Sequence, residues 1–212
     1  MLPENLHIHN HPLIQRDLTV LRDKTTPSPI FRAMIKNLAR YIVYEAAGEL
    51  ELAAQTVETP LGPCEGVRIQ CGHIMLAPIL RAGLCMIDGA FEVFPFAQVR
   101  HIGLYRNEET LMPVEYYVKI PEDLAADTIA FILDPMLATG GSAIAAIDIL
   151  KRRKVREIHF CCLIASPEGV QNLSAAHPDV RIHTASVDQG LNEIGYILPG
   201  LGDAGDRAFN TI

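Results

Sequence analysis

Buried strands and amphipathic helices alternate along much of the chain. Near-continuous apolar runs occur at residues 73–80 (HIMLAPIL), 128–133 (TIAFIL) and 157–165 (EIHFCCLIA), and residues 180–187 (VRIHTASV) form a shorter, half-alternating run. Uninterrupted apolar runs are typical of parallel strands that are covered on both faces. Helical segments follow the first three runs (GLCMIDGAFEVF, GSAIAAIDILKRR and SPEGVQNLSAAH). This alternation predicts an α/β fold with a mainly parallel sheet flanked by helices.

A further amphipathic helix is predicted before these strands, over residues 28–48. Ser28 is the expected N-cap and Gly48 the expected end. The apolar positions that share one face at helical spacing are Phe31, Met34, Ile35, Leu38 and Ile42. A polar stretch separates this helix from the first apolar run.

Two segments depart from the alternation of strands and helices. Residues 98–121 indicate two strands joined by a polar tip, and hence a long β-hairpin. Residues 188–212 are rich in glycine and aspartate with little periodicity, but Tyr196, Ile197, Leu198 and Phe209 offer apolar surface. We expect this tail to form a cap over a binding site rather than a frayed end. The whole chain, 1–212, is expected to form a single domain.

Composition narrows the class of protein. The net charge of −7 argues against a nucleic-acid partner, which needs a basic surface. No apolar run approaches the roughly 20 residues that span a bilayer, and no signal peptide is visible. The five cysteines form no C-x-x-C pair and are odd in number, so a disulfide framework is not expected. A cytoplasmic location is predicted.

The segment that carries candidate chemistry is DPMLATGGS, residues 134–142, between a buried strand and a helix. Gly140 and Gly141 allow close approach of the backbone to a ligand, and the following helix start offers free N–H groups to phosphate. A carboxylate such as Asp134 repels phosphate but suits the hydroxyls of a ribose, so together they indicate a phosphosugar site. Neither a Walker A loop nor a G-x-G-x-x-G fingerprint is present. An ordinary strand-to-helix turn with a hydroxyl cap would use similar residues.

Other candidate residues are ambiguous when taken singly. Arg81 follows the buried strand 73–80 and suits a phosphate or diphosphate, but it could equally be a surface arginine paired with an acid. Arg106 lies near the hairpin tip, and Asp203 and Asp206 could simply form turns. His7, His9 and His11 alternate, yet no nearby acid or cysteine completes a metal site.

Taken together, these segments resemble the uracil phosphoribosyltransferases, which are type I phosphoribosyltransferases. The longest matching motifs are DPMLATGGSA (134–143) and LNEIGYILPGLGDAGDR (191–207), and shorter ones are HPLI, LTVLRDKTT, YEAAGEL, PILRAGL, GLYRNEETL, SPEGV and AHPDV. The resemblance implies a type I phosphoribosyltransferase fold with a mobile β-hairpin (98–121) and a C-terminal base-binding cap (188–212). The implied reaction converts uracil and 5-phosphoribosyl 1-diphosphate (PRPP) to UMP and diphosphate in pyrimidine salvage.

The same resemblance implies roles for individual residues. Arg106 and Asp203 would stabilise charge during catalysis, without a covalent nucleophile. PRPP would be bound by Arg81, Arg106, Asp134, Pro135, Met136, Leu137, Ala138, Thr139, Gly140, Gly141, Ser142 and Asp203. Uracil would be bound by Tyr196, Ile197, Gly202, Asp203 and Ala204, mainly through main-chain groups. Mg²⁺ would be held mainly through PRPP, with Asp203 nearby.

The resemblance also implies a homodimer or homotetramer, and GTP as an activator in some members. Cys85 and Asn210 depart from the family pattern, because each replaces a glycine. Cys85 could press on the loop after Arg81, whereas asparagine tolerates a left-handed backbone. The alternative function is that of a non-catalytic or regulatory relative that binds a pyrimidine nucleotide.

Overall fold

The computed structural model describes residues 2–106, 113–121, 124–125 and 127–211, with only the backbone at 105, 106 and 113. The helices are Pro12–Arg22 (α1), Ser28–Ala47 (α2), Ile87–Val93 (α3), Gly141–Arg152 (α4), Pro167–Ala176 (α5) and Ala204–Phe209 (α6), with a 3-10 turn at Ala82–Met86. The strands are Leu6–Ile8 (β1), Leu52–Thr59 (β2), Gly62–Ile69 (β3), His73–Leu80 (β4), Gln98–Val99 (β5), Ile102–Arg106 (β6), Pro113–Val118 (β7), Thr128–Leu133 (β8), Met136–Leu137 (β9), Glu157–Cys161 (β10), Ile164–Ala165 (β11), Arg181–Thr184 (β12), Ser186–Val187 (β13), Gly190–Leu191 (β14) and Ile197–Leu198 (β15).

A mainly parallel sheet forms the centre of the fold, as the apolar runs predicted. Its order is β1-β12-β10-β8-β4-β6-β7, with β5 beside β4, and only β7 runs antiparallel to its neighbour. Side chains of β8 alternate between the two faces: Phe131 and Leu133 pack with α1–α3, whereas Ala130 and Ile132 pack with α4 and α5. Both faces are covered by helices, which explains why the strand is apolar at every position.

Two predicted strands, 157–165 and 180–187, are each broken into two. The second halves, β11 and β13, form a separate three-stranded parallel sheet with β9, in which β11 is central and pairs with both β13 and β9. Pro135 marks the break after β8, because it has no N–H for a ladder, and its carbonyl accepts from the amides of Leu163 and Ile164 at 2.9 and 3.2 Å. The hydrophobic pattern did not reveal the break between β10 and β11, since the apolar run continues through Cys161, Cys162 and Leu163.

Several elements lack a matching prediction. Helix α1 buries Ile14, Leu18 and Leu21 at helical spacing, so its signal was present in the sequence. The antiparallel hairpin β2–β3 runs in register from the pair Leu52–Ile69 to the pair Thr59–Gly62. Most of its residues are exposed on both faces, so it has no apolar periodicity to detect.

Helix α2 has its predicted extent and buried face, but Ser28 is not its cap. Pro27 occupies the N-cap position and Ser28 is the first helical residue. The Ser28 hydroxyl instead donates to the carbonyl of Arg207 at 2.7 Å, which ties α2 to the C-terminal segment. The prediction of Ser28 as N-cap was therefore wrong.

Within the predicted hairpin, 98–121, strands β6 and β7 pair antiparallel with an irregularity in register at Gly103 and Leu104, whereas β5, at its start, pairs with β4 instead. Its predicted tip, residues 107–112, lies outside the described residues. Among the described residues, no helix is long and apolar enough to cross a membrane.

The C-terminal segment contains the short hairpin β14–β15 and helix α6. Of the apolar residues expected to anchor it, only Ile197 is buried, and it packs with Leu201, Ala204 and Ala208. Tyr196, Leu198 and Phe209 are exposed, so they do not anchor the segment as predicted. Small residues of α6 take over that role because the helix lies against α2.

Candidate active site

The segment from Asp134 to Ser142 forms a small concave loop between β8 and α4. Gly140 precedes the helix with a left-handed φ of +87°, a conformation that favours glycine. The first intrahelical bond joins the Ile144 amide to the Gly140 carbonyl, so the three preceding amides of α4 have no partner within the helix. Together these residues enclose a cavity of about 80 Å³. Free amides at a helix start suit the oxygens of a phosphate.

Helix α5 holds this loop from behind. The amide and hydroxyl of Ser166 donate to the carbonyls of Leu137 and Ala138, at 2.9 and 2.5 Å. The side-chain amide of Asn172 donates to the Thr139 carbonyl at 3.0 Å. These bonds turn three successive carbonyls of the loop towards α5, and away from a bound anion that they would repel.

Gly169 lets α5 lie against the loop. A Cβ atom at this position would stand 2.3 Å from the Ala138 carbonyl oxygen and 2.7 Å from that of Leu137. Sequence reasoning assigned no role to Ser166, Gly169 or Asn172. The available signal was the Ser-Pro pair of SPEGV, in which Ser166 caps α5 by accepting from the Gly169 amide at 2.8 Å.

Asp134 stands at the carboxyl end of β8, where the parallel-sheet rule placed it. One carboxylate oxygen accepts from the Met136 amide at 3.3 Å. Burial raises the pKa of Asp134 to about 7, although the Met136 amide favours the ionised form. Near neutral pH this carboxyl group is therefore divided between protonated and ionised forms.

Arg81 lies directly after β4, the sheet neighbour of β8, so both loops emerge at one edge of the sheet. A Cβ at Gly83 would lie 2.3 Å from the Leu133 carbonyl oxygen, which shows how closely the turn after Arg81 approaches the end of β8. The Arg81 guanidinium pairs with Asp206 of α6 at 3.3 Å, with side chains 61% and 35% exposed. Arg81 is thus accessible to a ligand and also contacts the C-terminal segment.

Arg106 ends β6, where its backbone pairs with Pro113. Strand β6 is the neighbour of β4 on the side away from β8. The Arg106 side chain lies outside the described residues, so its charge-stabilising role stays a prediction.

The C-terminal segment closes on the same edge through a turn at Gly200 and Gly202, which have φ values of +63° and +78°. Arg207 fixes this segment to the end of α1, because its guanidinium donates to the carbonyls of Leu21, Leu201 and Asp23, each at 2.6 Å. The same guanidinium stacks over Phe31 at 4.2 Å. The backbone of the predicted base-reading residues is therefore tightly held.

Asp203 caps α6, with one carboxylate oxygen accepting from the Asp206 amide at 2.8 Å. No three His, Cys, Asp or Glu side chains among the described residues could hold a metal ion together. Mg²⁺ is commonly bound by one or two carboxylates together with substrate phosphates. The single carboxylate of Asp203 suits that mode of binding, in which substrate phosphates supply most of the ligands.

Comparison with known proteins shows which family this chain belongs to. The sequence model for uracil phosphoribosyltransferase matches residues 8–211. The chain belongs to the uracil phosphoribosyltransferase family. Among its relatives, the uracil phosphoribosyltransferase of Lachnoclostridium phytofermentans is 54% identical over 207 residues, covering 98% of this chain and 99% of that protein. That of Enterococcus faecalis is 52% identical over 202 residues, covering 95% of this chain and 96% of that protein.

A solved structure has the same fold. The AQ2163 protein of Aquifex aeolicus superposes with a TM-score of 0.90 at 37% identity, covering 96% of this chain and 97% of that one. The type I phosphoribosyltransferase fold implied by the resemblance, with its mainly parallel sheet flanked by helices, is confirmed.

The two departures from the uracil phosphoribosyltransferase pattern are structurally mild. Asn210 ends α6 in a left-handed conformation, φ 56° and ψ 47°, as asparagine tolerates. Cys85 is half-buried against the hydrophobic core beneath α2. Burial raises the pKa of its thiol, so Cys85 has the character of a packed residue and not of an activated nucleophile.

His7, His9 and His11, the alternating histidines, contact other residues of the protein. His7 and His9 stack on His183, and the His9 ring nitrogen lies 3.2 Å from that of His183. His11 caps α1 by accepting from the Leu13 amide at 3.2 Å. Two acids that the sequence did not place nearby also approach them, because Glu49 lies 3.3 Å from His7 Nδ1 and Glu45 lies 3.9 Å from His9 Nδ1.

Proposed function

We propose that this chain transfers a phosphoribosyl group from PRPP to uracil, releasing diphosphate and forming UMP. The observation that carries the proposal is the convergence of two structures at one edge of the sheet. The first is the loop from Asp134 to Ser142, with its free amides, and the second is the C-terminal segment, which contacts Arg81 through Asp206.

The loop suits the 5′-phosphate and ribose of PRPP. Amides from Gly141 onwards would donate to phosphate oxygens, and Asp134 would accept from ribose hydroxyls once ionised. Arg81, being accessible, would meet the diphosphate, and Arg106 would join it from the hairpin. Support for this assignment comes from the carbonyls of the loop, which point towards α5 and leave the amides to the ligand.

The C-terminal segment suits uracil. The edge of uracil presents alternating acceptors and donors, which main-chain groups of Ile197, Gly202 and Ala204 could satisfy without side chains. Cytosine carries an amino donor where uracil has a carbonyl, so an N–H placed there would lose its partner. Tyr196 is partly exposed beside this segment and is accessible to a base.

The chemistry needs no covalent nucleophile from the protein. The bond from the anomeric carbon to diphosphate breaks as N1 of uracil forms the new bond and loses its proton to diphosphate or water, through a transition state with oxocarbenium character. The protein orients the two substrates, stabilises the diphosphate charge with arginine and excludes water. Mg²⁺, which we propose is bound mainly by PRPP with Asp203 nearby, would neutralise diphosphate charge.

Steady-state turnover tests this proposal. With labelled uracil, PRPP and Mg²⁺, we expect UMP and diphosphate in a 1:1 ratio, and loss of both when EDTA is added. Absence of turnover, with UMP binding retained in a calorimetric titration, would instead support the regulatory alternative. Turnover that persists in EDTA would contradict the Mg²⁺ requirement but not the transfer reaction itself.

We also propose a homodimer or homotetramer. Strands β2 and β3 form an isolated two-stranded ribbon, which is marginally stable by itself, and they expose Leu52, Val57 and Val67. Light scattering after size exclusion tests this proposal, and a monomer at assay concentration would contradict it.

GTP activation and a cytosolic location also remain proposals. All five cysteines are free thiols, which supports a reducing compartment. A turnover rate that does not change with added GTP would contradict activation.

A further inference from the structure

An ion pair between Arg22 and Asp188 joins the end of α1 to the start of the C-terminal segment. It is bidentate: the two guanidinium Nη atoms lie 2.7 and 2.6 Å from the two carboxylate oxygens. The Asp188 side chain is 2% exposed. Ser186 adds a hydroxyl that donates to Asp188 at 2.8 Å. Burial alone would raise the pKa of Asp188, but the bonds from Arg22 and Ser186 leave it below its ordinary value.

This ion pair also binds both main-chain polar groups of Gly200. The Gly200 amide donates to Asp188 at 3.0 Å, and the Gly200 carbonyl accepts from Arg22 at 2.8 Å. Both main-chain groups of Gly200 are therefore bound by the two partners of one ion pair. A Cβ on Gly200 would lie 2.1 Å from the Ile197 carbonyl oxygen, so the turn is also sterically tight.

Gly200 stands between the two parts of the proposed uracil site. Ile197 lies three residues before it, and Gly202 and Ala204 lie two and four residues after it. Rotation of the peptide groups at Gly200 would change the direction in which the following main-chain donors and acceptors point. A base that is read by main-chain groups depends on those directions.

We infer that Arg22 and Asp188 are positioning residues for uracil recognition, and that they act by fixing the turn at Gly200. This inference rests on the proposed function. Neither side chain is required to touch the base. The pair acts mainly on uracil affinity, whereas most of the proposed PRPP contacts come from the separate loop that α5 holds.

Two conservative variants test separately the charge of Asp188 and the planar shape of the Arg22 guanidinium. Asp188→Asn keeps the volume but removes the charge, and it places an amide where two donors now converge. Arg22→Lys keeps the positive charge but loses the planar fork that binds Asp188 and Gly200 together. Since misplacement of a binding group by about 1 Å can cost about 10²-fold, we expect the KM for uracil to rise roughly 10- to 100-fold.

The matched control is Asp17→Asn. Asp17 is also buried and paired with an arginine, Arg16 at 2.7 Å, but it lies in α1, and among the described residues no hydrogen bond or ion pair joins it to the C-terminal segment. The KM for uracil should stay within about twofold of the wild-type value in this variant, since the bonds of Arg22 and Asp188 to Gly200 are left intact.

The readout is the KM for uracil set against the KM for PRPP in all three variants. The inference predicts a selective rise for uracil in Asp188→Asn and a smaller selective rise in Arg22→Lys. Equal rises for both substrates, or an unchanged KM for uracil, would overturn it. Failure of both variants to fold would also overturn it, because the pair would then be a general stability element. If the wild-type protein itself forms no UMP, the proposed function fails first, which keeps the two failures distinct.

Discussion

Replacing Ser166 with alanine tests whether α5 sets the shape of the phosphate loop. The Ser166 hydroxyl makes two bonds, donating to the Ala138 carbonyl at 2.5 Å and accepting from the Gly169 amide at 2.8 Å. Loss of a helix N-cap costs about 1 kcal/mol, and leaving a buried carbonyl without its donor costs about 1–3 kcal/mol. Ser166→Ala should therefore lower the free energy of unfolding by about 2–4 kcal/mol.

Two assays measure the consequence of this change. Urea denaturation gives the free energy of unfolding, and a drop of this size corresponds to roughly 5–15 °C in Tm for a chain of this length. Initial rates give the KM for PRPP, which should rise on the order of tenfold because the Ala138 carbonyl is no longer held towards α5. The KM for uracil should change much less.

Ser174→Ala is the control for this experiment. Ser174 lies on the same helix and donates to the Asn5 side chain at 2.9 Å, away from the loop. Its removal should cost at most about 1 kcal/mol and leave the KM for PRPP unchanged. If Ser166→Ala and Ser174→Ala behave alike in both assays, α5 does not shape the phosphate loop and the reasoning is refuted.

Three further predictions follow from the site and the core. The pKa of Asp134 is raised from 3.8 to about 7, so its stabilising contribution is complete below about pH 4 and is lost as pH rises through 7. Asp134→Asn should thus gain stability relative to wild type between pH 4 and 8, by roughly 4 kcal/mol in urea denaturation, and a constant difference would count against this. Burial and the neighbouring histidines lower the pKa of His183 from 6.5 to about 2, so stability is present above pH 6.5 and falls on acidification. Between pH 6.5 and 5 we expect a loss of about 2 kcal/mol that His183→Asn abolishes, and an equal loss in both proteins would contradict it. Arg106→Ala should lower kcat on the order of 10²-fold, and an unchanged kcat would remove Arg106 from the mechanism.

The sequence predicted most of the sheet because burial on two faces leaves a strong pattern. Phe131 and Ile132 point to opposite faces of β8 and are both fully buried, so the strand is recognisable without any structural information. The break between β10 and β11 was not predictable from hydrophobicity, because the apolar run continues through Cys161, Cys162 and Leu163 into β11. The hairpin β2–β3 was missed for the opposite reason, since it has no buried face.

The candidate site was predictable where its chemistry lies within one segment of sequence. Asp134 and Gly140 belong to one loop, and a carboxylate beside a glycine at a helix start indicates a phosphosugar site from the sequence alone. The residues that hold the loop and the turn do so across long separations in sequence. Arg22 and Asp188, for example, are 166 positions apart and neither has an unusual local context. Such pairing becomes visible only when the fold brings the two side chains together.

Competition between bases in a single reaction tests the central claim most directly. Uracil, cytosine, hypoxanthine and orotate would be supplied together with limiting PRPP and Mg²⁺, and the nucleotides formed would be separated and quantified. The account predicts that UMP is the only nucleotide to accumulate, because we propose that the loop at Asp134 binds PRPP and that the C-terminal segment accepts uracil alone. Formation of a purine nucleotide, of CMP or of orotidine monophosphate in comparable amount would contradict it.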